Sequence, residues 1–335
     1  MFNVRNKLIK QTEFYIAFVI IILSIAITIC NPKFLTADNI FSFMKTFSVF
    51  GIMAVGVLFV LVLGGTPDVS FTAIAQVVEY IVVVLTLQWG GNIFLALIAA
   101  CLMGALMGSM NGYLVHLFKV PTILVTIATY NIFYGLLYVF SKGNVIFVVH
   151  PMFKQFANIK VADQISLLPI IWILVSVFGW LILRYTSIGR NIYAIGGNEV
   201  AAERIGINIK WTRIFVFSFV GLLSGIAAIV HVSIVQSAIP NIIVGQEMNI
   251  IAAVFIGGAS VFGGAGTIIG TFLGIMLLAV VNNGLTLAGI SSYWYNIFIG
   301  AVILISITAS AIQQLHQLKT RVKVHIEMEE EESQV

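Results

Sequence analysis

"TFSVFGIMAVGVLFVLVLG", residues 46–64, holds no charged side chain. A helix crosses the hydrocarbon core of a bilayer with about 20 apolar residues at about 1.5 Å rise each, so this stretch is long enough to span one. Comparable runs recur at 14–30, 68–87, 93–116, 121–140, 166–183, 212–236, 248–257, 266–282 and 293–312, which makes ten. The run at 248–257 is short and ends on Gly257, which predicts a half-helix there. Of the 335 residues 60% are hydrophobic and 9% charged, whereas a soluble domain carries about a quarter charged residues. Barrel strands would alternate apolar and polar positions over about 10 residues, and no run does so. Continuous apolar runs favour helices, which satisfy their own backbone groups in lipid. The expected fold is all-α: a polytopic transmembrane helical bundle of about ten spans.

Basic residues give the orientation. With both termini cytoplasmic, Lys33, Lys45, Lys142, Lys154 and Lys160 lie outside and the other 12 of the 17 Lys and Arg lie inside, the bias that the positive-inside rule describes. Trp89, Trp211 and Trp294 fall at span ends, where amphipathic rings prefer the interface. Residues 1–13 are then a cytoplasmic N-terminus, 14–312 the transmembrane domain, and 313–335 a cytoplasmic tail. That tail ends in the acidic "EMEEEE" of 327–332 and is expected to be disordered. The first run is too long for a signal-peptide core and has no small-x-small site before Asn31, so it reads as a retained helix. Cys30 and Cys101 show no pairing pattern.

Several chemistries have no support. No G-x-x-x-x-G-K-[ST] phosphate loop occurs, so any ATP-driven work needs a separate subunit. "GGASVFGGAGTIIG" (257–270) starts like a dinucleotide fingerprint at Gly264 and Gly266, but its third glycine is one residue late. The ribose-binding acid expected about 20 residues on is also missing, since the next acid is Glu327. No metal-ligand or paired-carboxylate spacing appears, and no basic-aromatic face suits nucleic acid. No catalytic residue, cofactor or metal is expected.

Ionisable groups within spans are functional candidates, because charge in lipid is costly. "GGTPDVS" (64–70) predicts a helix with Thr66 as N-cap, Pro67 in the first position and Asp68 in the first turn. Glu79 follows eleven residues later, on nearly the same face and about 16 Å further along. Thr72 and Ala75 share that stripe, with Gln76 beside it. Asp68 is either an acid at a helix N-terminus or a group lining a polar passage. Glu79 is either a buried, paired carboxyl or part of the same passage. A second polar set, His231, Gln236, Gln246, Glu247, Asn282 and Asn283, falls toward the outer ends of the later spans. Amides with one acid suit a hydroxyl-rich small solute such as a sugar, and loop-end solvation is the alternative.

"GGNEVAAERIGI" (196–207) interrupts the apolar pattern with a short polar helix. Gly196 and Gly197 read as a flexible entry, Asn198 as N-cap, Glu199 as complement to the helix N-terminus and Gly206 as its close. Glu199 and Glu203 share one face; Val200 and Arg204 share the next. So short a helix is marginal alone in water, which points to a docked partner or to a plain amphipathic connector.

The longer stretch "TSIGRNIYAIGGNEVAAERIGINIKWTRI" (186–214), with "GQEMNIIAAVFIGGASVFGGAGTIIGTFLG" (245–274), "NNGLTLAGISSYW" (282–294) and "NPKFLTADNIFSFMKTFSVFGIMAVG" (31–56), resembles the permease subunits of bacterial ABC importers for ribose and related sugars. The resemblance covers nearly the whole chain. It implies a channel-forming subunit of the bacterial plasma (inner) membrane that is not itself an enzyme. It further implies a second permease copy or paralogue, a cytoplasmic ATP-binding subunit, an extracytoplasmic solute-binding protein and a small polar solute. The helix at about 198–206 would be the coupling helix on the ATPase, with Gly196, Gly197, Asn198, Glu199, Glu203 and Arg204 at the contact. Asp68 and Ser70, with Thr72, would join the second polar set along the substrate path; Glu79 matches nothing in the family pattern and is a candidate for that path by its place within a span. One departure stands out. The family commonly reads Gly-Ile-Asp-Leu-Ser-Val-Gly where this chain has "GGTPDVSFTA" (64–73): Asp68 and Ser70 persist, Pro67 replaces the apolar residue, and Phe71 and Thr72 stand where Val and Gly would be. Two other readings are a proton- or ion-coupled secondary transporter using Glu79 and Asp68, and a branched-chain amino-acid permease of the ABC type. A membrane scaffold or receptor would need no polar passage.

Overall fold

The helices end where capping chemistry and glycine end them. In the computed structural model, residues 2–147, 149–161, 165–291, 293–301, 303–305 and 308 are described. The helices in chain order are α1 (Phe2–Cys30), α2 (Ala37–Gly64), α3 (Phe71–Trp89), α4 (Ile93–Phe118), α5 (Thr122–Ser141), α6 (Pro151–Ala157), α7 (Leu167–Tyr185), α8 (Ser187–Gly197), α9 (Glu199–Arg204), α10 (Ile209–Val235), α11 (Glu247–Ile256) and α12 (Ile268–Leu287). A 3-10 turn over Pro32–Leu35 and a two-residue antiparallel pair, Lys160–Val161 with Ile165–Ser166, fill two of the connections. Among the described residues eight helices are long and apolar enough to cross a membrane: α1 from Thr12, α2, α3, α4, α5, α7, α10 and α12. The short run expected at 248–257 is α11, ten residues long, and the last run begins as a shorter apolar helix over Tyr293–Ile305. The rest of that run and the acidic tail lie outside the described residues.

α2 is the centre of the bundle. It starts at Ala37, nine residues before its expected boundary, and every residue from Gly51 to Leu63 is buried. Trp172 of α7 lies flat on Gly51, where a Cβ would fall 2.1 Å from the indole, and stacks on Phe272 of α12 with centroids 4.4 Å apart. Lipid supplies no hydrophobic drive between helices, so small residues that allow close backbone approach set the tightest pairs. α4 and α10 form such a pair. A Cβ on Gly104 or Gly108 would fall 2.1 Å from the carbonyl oxygen of Gly221 or Phe217.

α1 and α12 run parallel, held at one end by Glu13 to the Thr267 hydroxyl and at the other by Asn31 Nδ2 to the Leu287 carbonyl at 3.1 Å. The first of these ends also collects α8, α9 and the glycine-rich loop 257–267. There the Gly264 amide donates to Val62 O at 2.7 Å and the Tyr193 hydroxyl to Gly266 O at 2.7 Å. Gly196 is wedged between them: a Cβ would sit 1.8 Å from Val62 O and 2.5 Å from Gly264 N. The expected flexible entry at Gly196–Gly197 is therefore a correction. Both residues close α8 in helical conformation, and Gly196 is required by close packing.

Candidate functional site

Two breaks in helical structure meet inside the bundle. The first is the connection between α2 and α3. Gly65 turns the chain at φ 71°, Asp68, Val69 and Ser70 are buried without helical structure, and α3 starts only at Phe71. The expected helix start at Thr66 is thus corrected. Asp68 Oδ1 accepts from both the Ser70 amide and the Ser70 hydroxyl at 2.6 Å, a local pattern that competes with helix formation. Ser70 Oγ in turn accepts from Asn111 Nδ2 of α4 at 2.7 Å, and Thr126 Oγ1 of α5 accepts from the Val69 amide at 3.3 Å. Non-helical backbone at membrane depth survives only where protein or a polar cavity satisfies it; here Asp68 takes the Ser70 amide and Thr126 of α5 the Val69 amide, while Asn111 of α4 fixes the Ser70 side chain. Since Asp68 precedes the helix, it does not share a helical stripe with Glu79.

The second break is α11. Ten residues rise about 15 Å, half of a span, so Glu247 at its start lies near mid-depth. Its carboxylate accepts from the Thr72 hydroxyl and from the Gly245 amide at 3.1 Å. Thr72, Gln76 and Glu79 follow at i, i+4 and i+7 along α3, each fully buried, and each reaches a different piece of the later chain. Gln76 Oε1 accepts from the Ile243 amide at 2.8 Å. Glu79 Oε2 lies 2.6 Å from His231 Nδ1 of α10. The α3 stripe and part of the later polar set, separate in the sequence, therefore form one connected face.

Not all of that set joins it. Asn283 exchanges hydrogen bonds of 2.8 and 3.0 Å with Asn39, tying α12 to α2. Asn282 accepts through its backbone carbonyl from Thr286 at 2.8 Å. Gln236 caps α10 at φ 58° and bonds the Ser233 carbonyl of its own helix. Gln246 accepts from Asn249 at 2.7 Å within the first turn of α11. Two groups absent from the sequence reading belong to the centre: Asn111, an amide in a glycine-rich span, and Thr126 of α5, which holds the Val69 amide. An amide within an apolar run was the available signal for Asn111. Among the described residues no three His, Cys, Asp or Glu side chains gather to hold a metal ion.

At the α9 end the capping reading agrees with the geometry: Asn198 accepts from the Ala201 amide at 3.0 Å, and Gly206 follows the helix at φ 85°. α9 is six residues long, shorter than the span 198–206. Glu199 takes two bonds of 3.0 Å from Arg213. Glu203 and Arg204 are exposed, as are the apolar Val200 (59%) and Ile205 (76%) beside them.

A sequence profile described as branched-chain amino acid transport system, permease component, matches residues 39–307, from the start of α2 to beyond α12. Ribose import permease protein RbsC of Haemophilus influenzae is 35% identical over 312 residues, covering 92% of this chain and 95% of the relative. Its namesake in Bacillus subtilis is 36% identical, with 85% of this chain and 88% of the relative covered. Galactose/methyl galactoside import permease protein MglC of Haemophilus influenzae is 29% identical, covering 92% and 97%. No solved structure matches.

Proposed function

We infer function from one premise: the chain belongs to the family of branched-chain amino acid transport system permease components. It is a multi-pass membrane permease subunit, and the transported solute is the open term. We propose that the solute is a monosaccharide of the ribose, galactose or allose kind. The observation that carries this is the end-to-end likeness to sugar import permeases, 35% identity across 95% of one of them. The chemistry of the centre agrees. Thr72, Gln76, Asn111 and Glu247 gather hydroxyl, amide and carboxylate groups in the buried interior, a chemistry that suits a ligand that both donates and accepts hydrogen bonds around its rim.

In this reading a cytoplasmic ATP-binding subunit supplies the energy and a solute-binding protein delivers the sugar to the opposite face. A second permease copy or paralogue completes the passage. Both termini lie in the cytoplasm, and α9 is the contact with the ATPase, through Glu203, Arg204 and the exposed Val200 and Ile205. Asn198 and Glu199 shape that contact from within, since one caps α9 and the other holds Arg213. Movement of α9 and α8 then passes through Gly196 to the end of α2 and to the loop 257–267.

The test is uptake by the complete transporter in proteoliposomes, with labelled D-ribose, D-galactose, D-allose and L-leucine. Uptake of a sugar that stops when the ATPase subunit cannot hydrolyse ATP is expected. Uptake of L-leucine alone would reassign the solute. Uptake that persists without ATP hydrolysis and collapses with the proton gradient would move the energy source to Glu79 and Asp68.

A further inference from the structure

Three tyrosines stand one above the next on α5, at Tyr130, Tyr134 and Tyr138. The first two rings are stacked, with centroids 6.2 Å apart and planes at 28°. The second and third meet edge to face at 5.5 Å and 65°. α5 packs into the bundle through Thr126, Thr129, Phe133 and Leu137. The tyrosines lie one residue on from three of these, about 100° around the helix. Tyr130 and Tyr134 are half-buried and Tyr138 is exposed.

This face does not suit lipid. Tyr130 sits eight residues into α5, about 12 Å along a helix of roughly 30 Å. In hydrocarbon at that depth its hydroxyl would lack a partner, whereas tyrosines that face lipid gather at the interfaces. Two elements show where the row points instead. Its inner rung stands one turn on from Thr126, whose hydroxyl oxygen accepts from the Val69 amide at 3.3 Å, and three residues beyond Val69 the Thr72 hydroxyl is bonded to Glu247. The row therefore leads from the far end of α5 to the polar centre.

We propose that Tyr130, Tyr134 and Tyr138 are a stacking ladder in the solute path, which carries the C–H face of a sugar ring down to the Glu247–Thr72 pair. The proposal rests on the sugar-import reading and adds the residues that would give it specificity. A monosaccharide presents apolar C–H groups on its faces and hydroxyls on its rim. An aromatic face takes the first, and a phenol hydroxyl can both donate to and accept from the second. Rungs about one ring width apart let the solute touch the next before it leaves the last, so no single position binds it tightly.

The experiment compares Tyr134→Leu and Tyr134→Phe in the complete transporter, with labelled D-ribose, D-galactose and D-allose. Recovery of the ATPase subunit with the permease, and basal ATP hydrolysis, are followed in parallel. Tyr134→Leu is expected to lower uptake of the transported sugar about three- to tenfold, with assembly and basal hydrolysis kept. Tyr134→Phe, which retains the ring, is expected to stay within about twofold of the unaltered protein. If Tyr134→Leu does not assemble, Tyr138→Leu at the exposed rung carries the same expectation. Uptake by the Leu variant equal to that of the unaltered protein, or a Phe variant as impaired as the Leu variant, overturns the ladder while leaving sugar import standing. An unaltered transporter that takes up none of the three sugars ends the sugar reading and the ladder with it.

Discussion

Glu79 and His231 show what a single residue discloses in sequence and what it withholds. An acid within an apolar run stands out, because burying an unpaired carboxylate in lipid is costly. Its partner does not stand out, since 152 residues separate the two and only the packing of α3 on α10 brings them together. Asn111 was missed for the same reason: its bond to Ser70 spans 41 positions. Removing one member of a buried hydrogen-bonded pair strands the other, at about 1–3 kcal/mol and more if it is charged, while replacing both by apolar groups can be nearly neutral. Glu79→Leu should therefore lower the thermal unfolding midpoint in detergent and impair uptake, yet leave insertion into the membrane intact. Adding His231→Leu should recover at least half of the lost stability. Full transport by Glu79→Leu alone would remove the pair from the working path, and no recovery in the double variant would show that the pair is not the source of the loss.

At the scale of elements, apolar length located the helices and local chemistry located most ends. The half-span at α11 was legible because the run 248–257, too short to cross, ends on Gly257. The start of α3 was not. "TPDVS" has the composition of a helix N-terminus, but Asp68 Oδ1 accepts from Ser70, Thr126 of α5 holds the Val69 amide and Asn111 of α4 holds the Ser70 hydroxyl. Such tertiary satisfaction leaves no local trace. Nor does a sequence tell which helix a row of small residues faces. Gly104, Gly108 and Gly112 prove to face α10. At Gly108 a side chain must displace the backbone of Phe217, so Gly108→Leu should cost at least about 3 kcal/mol, the upper range for overpacking. Gly135 on α5 has nothing within 4 Å of an added Cβ, and Gly135→Leu serves as the control. Equal unfolding midpoints for the two variants would mean that α4 and α10 are not packed this closely in the membrane.

For the whole molecule, the resemblance carried by residues 186–214 and 245–274 pointed to the family that the profile over residues 39–307 identifies. The geometry adds the route between its two ends. If α9 is the ATPase contact, Glu203→Arg with Arg204→Glu should weaken recovery of the ATPase subunit with the permease by about tenfold while leaving the unfolding midpoint unchanged, because neither side chain is buried. Undiminished recovery together with normal uptake would place the contact elsewhere. One earlier detail bears on how a motion would propagate. Gly196 leaves no room for even a methyl group between α8, the carbonyl of Val62 and the amide of Gly264. Surface and centre are joined there like meshed teeth without backlash: an inward displacement of α8 has no dead travel before α2 must yield, so the smallest stroke delivered at the rim is already a stroke of the axis.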